Sequence, residues 1–202
     1  MRSSSRTIST IAIFTSLVIA TDYALTPALN VKLMDTLVFS ATFVFGFRIG
    51  ASIAVLSELI WSIVTPFVFF FPITPFLVGG ELLFVLAGYF TSKFWRYDNV
   101  SPVAVENVFF GAVIAICAFF WDLETNVATG LLEGARSLVA LLGFEIVGYI
   151  GGFNIAHEAS DFVLGSTLAP IVIVYLRRHS AGIKVQKDLA TSLSEQFAGG
   201  SA

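Results

Sequence analysis

Eight ionisable side chains stand in or beside long apolar runs of this sequence: Asp22, Asp35, Glu58, Glu81, Asp122, His157, Glu158 and Asp161. Glu58 is set deepest, within the passage FVFGFRIGASIAVLSELIW. Trp61 follows Glu58 by about one helical turn, Trp121 adjoins Asp122, and Asn126 comes one turn later. Carboxyls, aromatic faces and an amide in such company are the ingredients of a small-organic-ligand site, where apolar walls surround a few convergent polar groups. Metal chemistry has less support in the spacing. His157 and Glu158 are adjacent, so on a helix their side chains point about 100° apart and share a ligand poorly; a hydrogen-bonding histidine is the expectation. HExxH, GxSxG and GKS/T motifs are absent, so nothing suggests an enzyme.

Composition decides what must position these groups. Of 202 residues, 56% are apolar and 12% charged, with a mean hydropathy of +0.87, whereas soluble domains carry about 25% charge. The chain reads as an integral membrane protein. Its apolar runs are continuous rather than alternating, which selects helices over a barrel, so the fold class is all-α. The first 25 residues resemble a signal peptide in their basic start, but Asp22 and Tyr23 stand where small residues would mark cleavage, and a retained helix is expected. One cysteine, Cys117, permits no internal disulfide. A net charge of −3 without a basic tract gives no sign of nucleic acid.

Six spans are expected, at 7–25, 34–47, 49–70, 77–93, 105–122 and 161–175. The second and third form a helical hairpin whose turn is read at 47–50. Leu138–Ile150 is ambiguous by hydropathy. Charge resolves it, because short cytoplasmic loops collect Lys and Arg. With six spans, Arg2, Arg6, Arg48, Lys93, Arg96, Arg177, Arg178, Lys184 and Lys187 fall inside, and only Lys32 and Arg136 outside. A seventh span would move the last four basic residues out and erase the bias. The stretch is therefore expected to be a short interfacial or re-entrant helix on the outer side. Residues 1–178 make the membrane domain, with both ends cytoplasmic in the cell membrane, and 179–202 read as a mobile polar tail.

At 1.5 Å per residue, Glu58 lies about 15 Å from Arg48, near mid-membrane. Asp22, counted from Arg6, and Asp122, counted from Glu106, lie about 24 Å up. Asp35, Glu81, His157, Glu158 and Asp161 belong to the same outer half. An ionisable group in the membrane costs several kcal/mol unless it meets a partner or a cavity, so this clustering marks a site open to the outside. Other roles stand beside that one: Asp122 and Glu124 at the water interface, Trp61 and Trp121 as interfacial anchors or core, Glu58 as a neutral acid bonded to a neighbouring helix. Acids abound on the outer side, with only Lys32 and Arg136 opposing them, which favours a cationic or amine-bearing ligand. On the first helix Ala12, Ser16, Ala20 and Ala24 recur every four residues. Such a stripe lets another helix approach closely, within this chain or from a separate protein.

The segments NVKLMDTLVF, FVFGFRIGASIAVLSELI, WDLETNVATGL and GFNIAHEASDFVLGSTLAP, in this order and spacing, resemble the substrate-binding S components of energy-coupling factor (ECF) transporters. The likeness covers about residues 11–176. It implies six helices that capture a vitamin or related micronutrient outside and deliver it inward by toppling, docked to a membrane coupling protein and two ATPase subunits. No cofactor is implied. The family's first-helix stripe, which meets the coupling protein, matches Ala12, Ser16 and Ala20, with serine in place of the usual alanine. Its pocket carries over to the 30–35 loop, including Asn30, Lys32 and Asp35, and to Glu81, Trp121, Asp122, Asn126, Asn154, His157 and Glu158. Glu58 is a less usual ligand contact there. Metal-transporting members have histidine after the initiator methionine; Arg2 stands here, against a transition-metal substrate. The contrasting expectation is a stand-alone carrier whose acids relay protons, although no internal repeat supports it.

Overall fold

A computed structural model describes residues 5–28, 30–66, 71–95 and 107–198, with side chains described to 178. Seven helices account for nearly all of them: α1 (Ser5–Leu25), α2 (Met34–Phe45), α3 (Phe47–Val64), α4 (Thr74–Phe94), α5 (Asn107–Leu132), α6 (Leu138–Ile150) and α7 (Phe153–Ala198), with a single 3-10 turn at Phe71–Ile73 before α4. The protein is all-α. Five stretches are long and apolar enough to cross a bilayer: Ser5–Leu25, Phe47–Val64, Phe71–Phe94, Asn107–Leu132 and Phe153–Arg178; α2 and α6 are shorter apolar helices.

The distribution of side chains is that of a multi-pass membrane protein. Ile63 is 79% exposed, Phe94 86% and Ile150 82%, while Asp35, Glu58, Glu81, Asp122, His157 and Asp161 are buried. Water would reverse that preference, whereas lipid places apolar groups outside and tolerates ionisable ones only in the interior. Several hydroxyls inside the spans find acceptors locally. Thr42 donates to Val38 O, Ser62 to Glu58 O and Thr125 to Trp121 O, each one turn back, so no polar hydrogen of theirs faces lipid.

Short as it is, α2 is the helix the others surround. All its residues from Met34 to Phe43 are buried, against α1, α3, α4 and α7. The hairpin to α3 turns on one residue, Gly46, at φ 86° and ψ 171°, a region essentially confined to glycine. Residues 47–50, expected as the turn, are instead the first turn of α3. The reversal needs only one residue because Gly50 presents no side chain to Thr42: a Cβ there would come within 1.8 Å of the threonine hydroxyl. α5 and α7 are similarly close. A Cβ on Gly165 would meet Gly111 Cα at 2.9 Å, and one on Gly111 would meet Phe162 O at 2.3 Å.

Two other boundaries differ from expectation. α5 does not stop at 122 but runs on to Leu132, and α7 begins eight residues before 161. Polar residues mark span ends there by sequence, but buried partners let the helices continue. The backbone of α7 is helical through Ala198, across Pro170. α6, thirteen residues or about 20 Å long, is shorter than the roughly 30 Å hydrocarbon core. Arg2, Arg96 and Glu106, used for charge and depth, lie outside the described residues, as do the end of the expected 49–70 span and the start of 105–122.

Candidate functional site

Antiparallel packing of α5 and α7 brings two distant sequences to one level. Asp122 lies eleven residues past Gly111 and His157 eight before Gly165, about 16 and 12 Å along their helices from the close crossing. The imidazole meets Asp122 there, Nδ1 lying 3.1 Å from both carboxyl oxygens. Its Nε2 is 2.8 Å from Asp35 Oδ2, on the first turn of α2. Asp161, one turn along α7, places Oδ2 3.9 Å from the same Nε2. Glu81 of α4 also reaches Asp35. His157, Glu81 and Asp161 are fully buried, and neither oxygen of Glu81 or Asp161 has a hydrogen-bond donor. Four helices thus supply four carboxyls around one imidazole.

A cavity of about 450 Å³ lies beside this cluster, lined by Asp22, Leu25, Thr26, Pro27, Ala28, Asn30, Val31, Lys32, Glu58, Trp61, Thr65, Leu77, Trp121 and Phe153. Trp121 separates the two, its ring edge-on to His157 at 5.3 Å and packed over bare backbone at Gly80. The Lys32 ammonium sits 3.7 Å from the centre of the Trp121 ring, a cation–π contact. Burial pushes the Lys32 pKa down, but the carboxyls of Asp35, Glu58, Asp122 and Asp22 outweigh it and hold it above its ordinary value, so Lys32 stays charged. Glu58, 2% exposed, keeps Oε2 without a partner. The Trp121 indole N–H likewise has no acceptor. An acid acceptor, an indole donor, an ammonium and two tryptophan faces therefore border one mostly apolar chamber.

The loop over this chamber is pinned at both ends. Asp22 Oδ1, from the last turn of α1, accepts the N–H groups of Leu33 (2.9 Å) and Met34 (3.2 Å), capping α2 where its own N-cap residue, Leu33, offers no side-chain acceptor. Asn30, in the left-handed region at φ 49°, donates through Nδ2 to Phe153 O at 3.1 Å, the first residue of α7. Sequence spacing gives Asp22 an outer position but not this capping role, because its partners lie eleven and twelve residues away across a turn.

The predicted site residues consequently divide into three groups. Asn30, Lys32, Glu58 and Trp121 line the chamber. Asp35, Glu81, Asp122 and His157 form the buried cluster behind Trp121, joined by Asp161. Asn126, Asn154 and Glu158 instead secure α6: Asn126 Nδ2 donates to Glu145 Oε2 at 2.7 Å, Tyr149 donates to Glu158, and Asn154 packs on Gly148, whose Cβ would lie 2.4 Å from the amide oxygen. Trp61 lines the chamber too; its spacing from Glu58 was the available signal. On α1, Ala12, Ser16, Ala20 and Ala24 are all exposed, while Phe14, Thr15, Val18 and Asp22 face inward. The small-residue stripe is not used for packing within the chain.

Comparison with protein-family models, with curated proteins and with solved structures found no match.

Proposed function

We propose that this protein is the substrate-binding S component of an ECF-type importer, spanning the membrane six times with α2 as the short sixth span and α6 lying at the outer face. It captures a small organic micronutrient in the chamber under the 26–33 loop and hands it inward with a coupling protein and two ATPase subunits. The observation that carries this reading is the chamber itself, about 450 Å³ and walled by Trp61 and Trp121 with Glu58 and Lys32 at its edge, a size and lining suited to a vitamin-sized molecule. The outward-facing stripe of Ala12, Ser16 and Ala20 supports a partner helix.

A cationic or amine-bearing ligand fits best. Asp22 Oδ1 is taken up by the α2 backbone, which leaves its Oδ2 and Glu58 Oε2, both unpartnered on residues that line the chamber, as the carboxyl oxygens available to an ammonium. The test is mass spectrometry of small molecules that co-purify with the protein, followed by calorimetry with the compound found. Glu58→Gln is expected to weaken an amine ligand by about 1–3 kcal/mol, the scale of a charged hydrogen bond. Exclusive binding of anionic compounds refutes the assignment. Ala12→Trp and Ala20→Trp are expected to abolish co-purification with the coupling protein while sparing ligand affinity.

The buried imidazole between two carboxyls favours a second reading, a stand-alone carrier coupled to protons. Proteoliposome uptake separates the two: transport by the protein alone, driven by a pH gradient and without ATPase partners, favours the carrier.

A further inference from the structure

The carboxyls behind Trp121 have an arrangement that neither ligand capture nor helix packing uses. Asp35 closely confronts both Glu81 and Asp161, and neither oxygen of fully buried Glu81 or Asp161 has a partner at regular hydrogen-bond geometry. Carboxylates so placed repel one another strongly in a medium of low dielectric. A shared proton or a cation relieves that repulsion; the His157 imidazole lies 2.8 Å from Asp35 and 3.9 Å from Asp161, and Lys32 is engaged over Trp121.

We propose that Asp35, His157 and Asp161 hold a resident divalent transition-metal ion of the Mn²⁺ class. One donor atom from each of the three lies within 4.8 Å of the others. Two atoms bound to one ion at about 2.1 Å each are about 3.0–4.3 Å apart; the 3.9 Å from Nε2 to Asp161 Oδ2 falls in that range, and the 2.8 Å to Asp35 Oδ2 needs a few tenths of an ångström. His157 is already oriented for ligation. The Asp122 carboxyl lies 3.1 Å from Nδ1; with an ion bound it would hold the proton on that nitrogen and leave Nε2, beside Asp35, for the ion, the carboxylate–histidine–metal relay common at metal sites. One imidazole with two carboxylates suits manganese, iron or zinc better than magnesium or calcium, which prefer oxygen alone. The ion ties α2 and α7 together behind the chamber wall. It is a structural ion, separate from the transported compound, and the inference stands independently of the uptake role.

The test uses the untagged full-length protein in nanodiscs, stripped with a chelator and titrated with Mn²⁺. The background is His179→Ala, which leaves His157 as the remaining histidine of two in the chain. Electron-spin-echo spectroscopy of the bound ion is expected to show one coupled imidazole nitrogen at one equivalent of Mn²⁺. Asp161→Asn is expected to lower affinity at least tenfold, and Asp122→Ala by about 10–100-fold through loss of the orienting acceptor. Absence of stoichiometric Mn²⁺ uptake, or bound Mn²⁺ without a coupled nitrogen, overturns the proposal without reference to any ligand variant. So does wild-type affinity in Asp161→Asn. Failure on these counts leaves the vitamin-capture reading intact, since that depends on the chamber and its co-purifying compound.

Discussion

Replacing Asp22 with alanine isolates what holds the outer loop over the chamber. Asp22 is buried, and its Oδ1 is the acceptor for the N–H groups of Leu33 and Met34. Alanine removes it and leaves two donors without a partner at the start of a helix that every neighbour packs around. An orphaned buried donor costs about 1–3 kcal/mol. Leu33 is only half-buried, so water recovers part of its loss, and the sum comes to about 2–4 kcal/mol. For a chain of this size 1 kcal/mol corresponds to about 2–4 °C in melting midpoint, so Asp22→Ala is expected to melt about 5–15 °C below wild type. Asp22→Asn retains an oxygen in the same place and forfeits only the charge-assisted share, about 1 kcal/mol or 2–4 °C. The single cysteine, Cys117, partly buried between α5 and α4, reports the transition through a thiol-reactive fluorophore on protein in nanodiscs. The ordering is the signature of a cap. Equal melting of the alanine and asparagine variants, or an alanine variant within 2 °C of wild type, refutes it.

Three further substitutions test the framework by the same melt. Gly165→Leu drives a side chain into the Gly111 backbone of α5 and is expected to cost more than 3 kcal/mol, at the upper end of overpacking; a stable, monodisperse variant contradicts the close crossing. Gly46→Ala meets no atom within 4 Å, so its expected cost of about 1–3 kcal/mol is backbone strain alone, and an unchanged midpoint means another turn is adopted. Lys32→Met removes an ammonium whose pKa is raised in the folded state by neighbouring carboxyls. That stabilisation is fully present below the unfolded lysine pKa of about 10.4 and disappears as pH rises through the folded value. The gap between wild type and variant is therefore expected to narrow above pH 10.5; a gap that stays constant or widens there refutes the assignment.

Several features of the fold are legible in the sequence because a single segment carries the signal. Continuous apolar runs give the helices, and Leu138–Ile150 emerges as a separate short helix at the bounds expected. Helix ends are less legible where a polar residue has a hidden partner. Asp122 looks like a span end until His157 takes it up, and Asn154 to Glu158 look like a loop until Gly148 and Tyr149 of α6 are opposite them. The turn at Gly46 was misplaced by the second glycine, Gly50, whose role is not to bend the chain but to admit Thr42.

The site follows the same division. That acids gather in one half of the membrane can be counted from residue spacing, since helical rise is fixed. Which acids touch cannot, because that depends on how α5 slides along α7 and how α2 is threaded among its neighbours. Asp35 and His157 are 122 residues apart and Asp122 and His157 35 apart. Their meeting is set by Gly111 and Gly165, glycines that read in isolation as ordinary small residues of a membrane helix. The close crossing thus does more than pack. It sorts the acids: Glu58 faces the chamber, where a ligand can reach it, while Asp35, Asp122 and Asp161 are turned behind Trp121 toward one imidazole. A substitution that moved α7 by one turn would send Asp161 to the level of His157 and carry the imidazole away from Asp122, so the buried cluster depends on the α5–α7 crossing.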